Sequence, residues 1–203
     1  MKIIDIQQGT REWLVYRSTR ITGTKFADVL AKPTTQRYEF CLQNIIEARQ
    51  GLLKPVIDKP WHEHGREWEP LARGLYEWER DVDVQVVGCV EHDKYDFIAV
   101  SPDGLIDGGG VEIKCHKSLD RYLASCRKFP AQHKPQVQGT MWVCDCEWWD
   151  FVDYYKNGSD AKIHIRRIER DDKYIKRLEE SCLLFEEKIQ EAMECQHSKL
   201  KAS

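Results

Sequence analysis

One stretch, FIAVSPDGLIDGGGVEIKC at positions 97–115, constrains the fold of this chain more than any other. It contains two short apolar runs, residues 97–100 and 111–115, separated by a polar segment rich in glycine. Apolar runs on either side of such a turn are typical of a β-hairpin. We therefore predict a hairpin here, and strand geometry then decides where its charged residues point.

The second run alternates charged and apolar residues, which predicts a strand with two chemically different faces. Residues two apart lie on the same face of a strand, so Glu112 and Lys114 should point the same way. The alternate positions should face the core: Val111, Ile113 and Cys115. Asp103 follows a proline at the end of the first run, and the hairpin should bring it beside Glu112 and Lys114.

Two carboxylates with an ammonium group beside them suit a hard divalent cation. Mg²⁺ is the simplest choice, because it binds through one or two carboxylates and keeps several waters. A lysine beside the ion could position the attacking water or offset charge in the transition state of phosphodiester cleavage. A Glu-x-Lys alone is more often a solvated surface pair, so a plain surface hairpin is the alternative. The Pro-Asp pair, the turn and the alternating strand together favour a nuclease site.

These residues resemble the PD-(D/E)xK nuclease motif, with Pro102-Asp103 followed by Glu112-Ile113-Lys114. The surrounding sequence is similar to the phage lambda exonuclease / YqaJ-type viral recombinase family. The similarity covers most of the chain in that family's order: residues 13–33, 64–72, 101–115, 136–143 and 168–174. The resemblance implies that Asp103, Glu112 and the carbonyl of Ile113 bind the metal, while Lys114 acts on the nucleophilic water.

The same resemblance assigns roles to four residues outside the hairpin. Glu69, in a Gly-x-x-x-Glu pattern, would supply a further carboxylate to the metal site. Gln136, the first glutamine of QVQ, would lie near the catalytic carboxylate and lysine. Arg17 and Thr24, from W-x-x-x-R and I-T-x-[ST], would hold the terminal 5′ phosphate. Taken without the resemblance, the last two residues fit equally a capped helix with solvated arginines.

The resemblance implies an α/β fold of the restriction-endonuclease type, with a mixed central sheet flanked by helices. It implies a Mg²⁺-dependent exonuclease, with Mn²⁺ as a possible substitute, that degrades one strand of linear double-stranded DNA from its 5′ end. The product would be a 3′ single-stranded overhang for recombination. A homotrimeric ring on DNA ends and a single-strand annealing recombinase as partner are implied too. We expect a phage or prophage protein in the cytoplasm of a bacterial host cell.

Two alternatives stay open at this point. The same motif serves PD-(D/E)xK endonucleases, which would cleave closed circular DNA. The chain could also be a DNA-end-binding recombination scaffold that has lost catalysis. A decayed site would have lost at least one of its charged residues, whereas Asp103, Glu112, Lys114 and Glu69 are all present.

Composition limits the remaining possibilities. The 203 residues are most simply one domain, 1–203, in which residues 195–203 form a frayed tail. The formal net charge of −3 means that DNA contact requires a local basic patch. Such a patch is predicted along the helix that follows Ser118: Lys117, Arg121, Arg127 and Lys128. Eight cysteines without a C-x-x-C pair, and no signal peptide, predict free thiols, and no apolar run predicts a membrane span.

The remaining elements are predicted from periodicity and capping signals. Helices are expected at residues 9–18, 21–30, 37–49, 61–80, 119–128 and 134–144, and from about residue 172. The first helix should be capped by Thr10 and the second by Thr22 or Thr24. In the helix at 61–80, the core positions should be Trp61, Trp68, Leu71, Leu75 and Trp78, with a kink or boundary at Glu69-Pro70.

Strands are predicted at residues 82–87 and in a second hairpin, 147–156 with 161–167, around an Asn157-Gly158 turn. Residues 51–60 should be a linker. Four aromatic residues of the second hairpin could belong to the core or to an interface: Trp148, Trp149, Tyr154 and Tyr155.

Overall fold

The computed structural model describes residues 1–54 and 60–201, with side chains throughout except at positions 60–62 and 197–201. The helices are α1 (Arg11–Ser18), α2 (Phe26–Val29), α3 (Gln36–Arg49), α4 (Pro60–Arg80), α5 (Leu119–Arg127), α6 (Lys134–Cys144) and α7 (Asp172–Lys201). The strands are β1 (Lys2–Ile4), β2 (Ile21–Thr22), β3 (Cys89–Glu91), β4 (Ile98–Val100), β5 (Gly104–Ile106), β6 (Gly109–His116), β7 (Trp148–Asn157) and β8 (Asp160–Glu169). Short 3₁₀ turns, Gly23–Lys25 and Ala131–His133, precede α2 and α6.

The strands form two four-stranded sheets, each of which mixes parallel and antiparallel pairs. Their orders are β1-β3-β4-β2 and β5-β6-β7-β8. The parallel neighbours are β2 with β4 and β6 with β7. A parallel pair needs a long crossover connection, and α5 and α6 provide it between β6 and β7. The predicted α/β architecture, with mixed sheets flanked by helices, is confirmed, although the strands are divided between two sheets.

Two apolar clusters lie on opposite faces of the second sheet. The larger contains Trp149 and Phe151 of β7 with buried residues of α3, α6 and α7. The smaller contains Val152 and Tyr154 of the same strand with Ala72 of α4. Successive residues of a strand point to opposite faces, so β7 is covered on both sides. The helix α4 is therefore packed directly on the sheet that carries the nuclease motif.

Local capping signals in the sequence are reproduced at three helix starts. The Thr10 hydroxyl accepts a hydrogen bond of 3.2 Å from the backbone N–H of Trp13, and α1 begins at Arg11, directly after Thr10. Ser118 caps α5, and the Asp171 carboxylate accepts from the N–H of Tyr174 at 3.0 Å at the start of α7. These bonds satisfy donors that would otherwise lack partners in the first turn.

The first hairpin is built from different strands than predicted. Strand β6 pairs antiparallel with β5, and the two-residue turn between them is Asp107-Gly108, with Gly108 at φ +72°. The run at 98–100 instead pairs with β2 and β3 in the other sheet. The reason is local: an Asp-Gly turn with positive φ closes a tight hairpin, and the short GLI segment before it is the nearer partner.

The helix α4 departs from its prediction in two ways. It continues through Pro70 without ending at the Glu69-Pro70 step. Leu71 and Trp78, predicted to face the core, are 53% and 77% exposed, whereas Ala72 and Tyr76 are buried. The buried stripe therefore lies about a hundred degrees around the helix from the predicted one, with Trp68 and Leu75 at its edge.

Other boundaries also differ. Residues 82–87 form no strand; Gln85 makes one isolated bridge to Leu105. Neither Thr22 nor Thr24 caps a helix through its side chain, because Thr22 ends β2 and a 3₁₀ turn follows. The tail expected to fray after residue 195 continues α7 to Lys201.

The second hairpin forms in the predicted place, but its loop is Gly158-Ser159 rather than Asn157-Gly158, because Asn157 still pairs with Asp160. Of its four aromatic residues, Trp149 and Tyr154 are buried in the core, and Trp148 and Tyr155 are partly exposed. The predicted linker at 51–60 lies largely outside the described residues, as does the Trp61 side chain. No helix in the described ranges has both the length and the apolarity needed to cross a membrane, and the eight cysteines are free thiols.

Candidate active site

Strand β6 holds the charged pair of the motif in the interior of a sheet. It is hydrogen-bonded to β5 on one side and to β7 on the other. Glu112 and Lys114 point to one face, and Val111 and Ile113 pack in the smaller apolar cluster on the other face. A strand bonded on both edges cannot slip in register without losing both ladders. The two charged side chains are therefore held in a fixed relation.

Asp103 precedes β5 and is joined directly to β6. Its Oδ2 accepts a hydrogen bond of 2.6 Å from the backbone N–H of Ile113, ten residues away in the sequence. The bond connects the Pro102-Asp103 turn to the centre of the Glu112-Ile113-Lys114 segment. Both halves of the motif therefore meet at one place, although the intervening hairpin is not the predicted one.

The Glu112 carboxylate is almost completely buried and receives two donors on one oxygen. The Lys114 ammonium donates to Oε1, and the Gln136 side-chain amide donates to the same atom at 2.7 Å. Gln138 plays a different part: its amide donates to the Glu169 carbonyl at 2.9 Å, and its oxygen accepts from a backbone N–H. Of the two glutamines, Gln136 is the one that the structure brings to the charged pair.

Glu69 approaches the site from α4, which packs on β6. Its Oε1 accepts from the Arg73 guanidinium, one helical turn further on, at 2.6 Å. The negative charge of Glu69 acts on Asp103, and that of Glu112 acts on Glu69, so the three carboxylates share one electrostatic environment. The structure thus brings Glu69 to the motif from a separate element.

The pKa values show that the carboxylates of Asp103, Glu112 and Glu69 lie close enough to repel one another. Burial raises the pKa of Asp103 well above its ordinary value, and the charges of Glu112 and Glu69 raise it further. Burial also raises the pKa of Glu69, against the opposing charge of Arg73. Burial alone would lower the pKa of Lys114, but Glu112 and Asp103 outweigh it, and that pKa lies above its ordinary value. Additional positive charge is therefore favourable here.

The donor set fits a hard divalent cation bound by few protein ligands. Among the described side chains, those of residues 1–54 and 63–196, no group of three or more His, Cys, Asp or Glu is arranged to hold one ion. A cation would therefore rely on one or two carboxylates, a backbone carbonyl and water, which is how Mg²⁺ is commonly bound in proteins. Asp103, Glu112 and the Ile113 carbonyl offer that combination on adjacent segments. Glu69 is the remaining carboxylate of the site, and its Oε1 is hydrogen-bonded to the Arg73 guanidinium.

Arg17 lies at the end of α1 with its guanidinium stacked over the Trp13 ring, 4.2 Å from the ring centroid. The Trp13 indole N–H donates to the Ser101 hydroxyl at 3.0 Å, immediately before Pro102. In the described structure the Arg17 guanidinium makes no hydrogen bond or ion pair, and burial lowers its pKa while Glu112 and Asp103 oppose that shift. An arginine is thus placed within electrostatic reach of the carboxylates with its donors available.

Thr24 sits in the 3₁₀ turn that follows β2, with its hydroxyl 3.4 Å from the hydroxyl of Thr22. The neighbouring Gly23 packs against α6: a Cβ added to it would stand 3.5 Å from Cγ of Gln136. The turn that carries Thr24 therefore lies beside the glutamine that contacts Glu112. No hydrogen bond joins Thr24 to Arg17 within the described part of the chain.

Two other basic residues near Arg17 have structural roles. Arg20 stacks on Tyr16 and contacts Glu91 at 3.4 Å, which ties α1 to β3. The Lys25 ammonium donates to three carbonyls at the end of α1, including that of Arg20 at 2.6 Å. These contacts fix the geometry around Arg17 rather than offering an anion site of their own.

Three polar residues near the motif were missed by the sequence analysis. His116 continues the face of Glu112 and Lys114, and its Nε2 lies 2.6 Å from Oδ1 of the buried Asp153. His133 stands at the start of α6; burial, assisted by the charge of Lys114, lowers its pKa to about 4. The sequence held one signal for Asp153: a buried carboxylate inside the aromatic strand WWDFVDYY needs a polar partner.

The predicted basic patch is exposed beside this site. Helix α5 packs on β6 and β7, and its basic residues point to solvent: Lys117, Arg121, Arg127 and Lys128. Cationic side chains next to a phosphodiester site would attract the DNA backbone without sequence preference.

Two solved proteins share this fold. The alkaline exonuclease LHK-Exo of Laribacter hongkongensis matches with a TM-score of 0.87 and 27% identity, covering 95% of this chain and 99% of that chain. The same enzyme in complex with dAMP matches at 28% identity. A phage-related exonuclease from Haemophilus somnus 129PT has a TM-score of 0.69 at 14% identity, with 87% of this chain and 96% of that chain covered, and is similar in fold.

Sequence comparison adds a viral relative and a family. The uncharacterized protein R354 of Acanthamoeba polyphaga mimivirus is 24% identical in a 178-residue alignment that covers 78% of this chain. The chain spans only 32% of that relative's length. Residues 12–147, well over half of the chain, match the YqaJ-like viral recombinase domain, and this range contains Arg17, Asp103, Glu112 and Lys114. The chain therefore belongs to the family of YqaJ-like viral recombinase domains.

Proposed function

We propose that the chain is a divalent-metal-dependent deoxyribonuclease that degrades one strand of linear double-stranded DNA from its 5′ end. The resulting 3′ single-stranded overhang would serve phage-type recombination by single-strand annealing. The observation that carries the proposal is the meeting of Asp103, Glu112 and Lys114 through the hydrogen bond between Ile113 and Asp103. Family membership and the fold shared with an alkaline exonuclease support the nuclease role.

The chain's own residues divide the work. Asp103, Glu112 and the Ile113 carbonyl would hold Mg²⁺, with Mn²⁺ as a possible substitute, and Glu69 would complete the site. When bound, such a cation supplies positive charge that polarises the scissile phosphate and activates water. Lys114 orients the attacking water and offsets negative charge that develops on the phosphate.

Gln136 holds Oε1 of Glu112 and so limits the carboxylate's rotation. Arg17 and Thr24 would hold the 5′ phosphate that marks the next nucleotide to be removed. A guanidinium that is stacked on an indole, yet makes no hydrogen bond or ion pair to any described residue, is suited to bind a phosphate through two parallel N–H donors.

DNA ends would approach along the exposed basic face of α5, which compensates locally for the negative net charge of the subunit. A homotrimeric ring and a single-strand annealing recombinase as partner belong to the same proposal. So does a phage or prophage origin with action in the host cytoplasm, which a viral relative supports.

The proposal is tested by offering the protein three DNA substrates in Mg²⁺, in Mn²⁺ and in EDTA. These are a linear duplex with 5′ phosphates, the same duplex with 5′ hydroxyls, and a closed circle. We expect mononucleotide release from the phosphorylated linear duplex, slower release from the hydroxyl form, an intact circle and no activity in EDTA. Nicking of the circle would indicate an endonuclease, and binding without cleavage in either metal would indicate a scaffold.

Replacing Arg17 with alanine should remove the preference for phosphorylated ends. Hydrogen bonds to charged groups contribute about 1.5–3 kcal/mol, so the rate on the 5′-phosphorylated duplex should fall roughly 10- to 100-fold. The rate on the 5′-hydroxyl duplex should change much less, because that end offers no phosphate for the guanidinium. Comparing initial rates on the two duplexes measures this preference.

Arg20→Ala is the matched control. Arg20 also stacks on a ring of α1, but its guanidinium is engaged by Glu91, and Glu91 keeps Lys2 and Tyr16 as partners in the variant. The control should retain the ratio of the two rates. If Arg17→Ala left that ratio unchanged, Arg17 would have no part in a phosphate pocket.

A further inference from the structure

A buried carboxylate that the proposed mechanism does not use stands next to Lys114. Strands β6 and β7 run parallel with Lys114 directly opposite Asp153. Residues opposite one another on neighbouring strands share a face, and the strands lie about 5 Å apart. His116, two residues after Lys114, is on that face as well. Asp153 and His116 therefore form a second polar pair on the face of the sheet that carries Glu112 and Lys114.

Asp153 is completely buried and only half satisfied. Its Oδ1 lies 2.6 Å from Nε2 of His116, while Oδ2 has no hydrogen-bond partner among the described residues. An unsatisfied buried polar group costs about 1–3 kcal/mol, and more when it is charged. We therefore looked for a donor that could reach Oδ2 of Asp153 when the protein binds its metal and substrate.

Few groups face that oxygen. From α5, Tyr122 and Cys126 lie within the field of Asp153, as does His133 at the start of α6. None of these three carries a positive charge at neutral pH, since the pKa of His133 is lowered to about 4. From β8, Arg166 lies diagonally across the sheet; its guanidinium donates to the Cys126 carbonyl at 2.7 Å, and its Nε is buried without a partner among the described residues. His164, opposite Asp153 on β8, lies 3.4 Å from Arg166. Lys114 is the directly opposed cation on the other side.

Lys114 has donors to spare. An ammonium group has three N–H donors, and the structure shows one of them on Oε1 of Glu112, an oxygen that Gln136 also occupies. A cation held by Glu112 would compete for that carboxylate and repel the ammonium. The three carboxylates of the site already face the positive charges of Lys114, Arg73 and Arg17. With a cation bound there as well, an acceptor outside those three carboxylates would give the Lys114 ammonium a second partner.

We propose that Asp153, oriented by His116, is a positioning residue for Lys114: it is the second acceptor that holds the ammonium in line when Glu112 is engaged by the metal. Because His116 occupies Oδ1, Oδ2 is the oxygen left for Lys114. The inference rests on the proposed function, since it assigns a task to Lys114. Asp153 itself touches neither DNA nor metal in this arrangement.

The test compares Asp153→Asn with His116→Leu and His116→Gln. Asparagine removes the charge at nearly constant shape. Glutamine can still donate to Oδ1 from a similar distance, whereas leucine cannot. We expect kcat on the phosphorylated duplex to fall roughly 10- to 100-fold in Asp153→Asn, as for a lost charged hydrogen bond, and to fall in His116→Leu. His116→Gln should retain most of the activity.

Three further readouts separate positioning from a structural role. The KM for DNA, and the affinity for Mg²⁺ alone by calorimetry, should stay unchanged in Asp153→Asn, because Asp153 binds neither. The Lys114 Cε resonance of lysine-labelled protein, recorded with Mg²⁺ and without DNA, should move in Asp153→Asn. It should stay in place in Asp160→Asn, whose carboxylate pairs with Lys162 at the surface.

Loss of thermal stability with unchanged kcat and an unmoved Lys114 resonance would overturn the proposal and leave Asp153 with a structural role only. Equal loss of kcat in His116→Gln and His116→Leu would remove His116 from the arrangement. The resonance is read without DNA or cleavage, so it tests the link between Asp153 and Lys114 even if the wild-type protein cleaves no DNA. In that case the failed cleavage would count against the proposed function alone.

Discussion

Cleavage of linear duplex DNA is expected to fall roughly 10²- to 10⁴-fold when Lys114 is replaced by alanine, the range found when a single stabilising donor or proton-transfer group is removed. The nearby carboxylates raise the pKa of Lys114, so the side chain is an ammonium ion at neutral pH. Of the side chains of β6 beside the carboxylates, the Lys114 ammonium is the one that can offset negative charge on the phosphate. Single-turnover rates at saturating enzyme measure this effect apart from binding.

DNA binding should survive the same change. The exposed basic residues of α5 and the Arg17 guanidinium remain, and in the proposed function they carry the contact with the phosphate backbone. Lys162→Ala is the matched control, because Lys162 pairs with Asp160 at the far end of β8 and is 44% exposed. A Lys114→Ala protein with near wild-type cleavage would exclude this lysine from the chemistry, whatever the behaviour of the control.

Stability should depend most on Asp150. Replacing it with alanine is expected to lower the free energy of unfolding by about 3 kcal/mol, the low end of the cost of breaking a buried ion pair. The carboxylate has no solvent exposure and accepts from Arg167 at 2.9 and 3.0 Å and from the Tyr76 hydroxyl at 2.8 Å. Arg167 is half exposed, which keeps the estimate low, since its freed guanidinium can be hydrated.

Urea unfolding measures this change. The midpoint should fall with little change in the slope, because the surface exposed on unfolding is nearly the same. Asp160→Ala, at the exposed end of the same hairpin, should leave the midpoint almost unaltered. An equally small effect at Asp150 would mean that the pair with Arg167 contributes little net stability.

Asp150 also matters for the site, because Tyr76 belongs to α4. The bond from Tyr76 to Asp150 anchors α4 to β7, and α4 carries Glu69 to the carboxylates of β5 and β6. Weakening that anchor should therefore lower cleavage activity as well as stability, even though Asp150 lies on the opposite face of the sheet from Glu112.

Much of the candidate site could be predicted from local sequence. Alternation along residues 111–115 placed Glu112 and Lys114 on one face, and the structure agrees, because side-chain direction in a strand repeats every two residues whatever the strand pairs with. Thr10 and Ser118 marked helix starts for an equally local reason: a hydroxyl satisfies free N–H groups three residues ahead.

Long-range pairing could not be predicted in the same way. The sequence indicated that Asp103 would lie beside Glu112 and Lys114, but through the wrong strand, because run 98–100 is as apolar as the GLI segment that actually pairs. The prediction for α4 chose the wrong face of the helix for a similar reason, because its apolar residues are compatible with more than one buried face. Which one packs is decided by the surface of the sheet beneath it.

The sequence by itself determined the chemistry of this protein: the carboxylates, the lysine, the strand that carries two of them and the family to which they belong. Only the tertiary structure decided that Glu69 is held by Arg73, that the Gln136 amide shares Oε1 of Glu112 with Lys114, and that Asp153 stands opposite Lys114. The physical reason is one of range. Turns, caps and alternation depend on neighbours a few residues away, whereas the pairing of β6 with β7 depends on burying both faces of a strand more than thirty residues further along the chain.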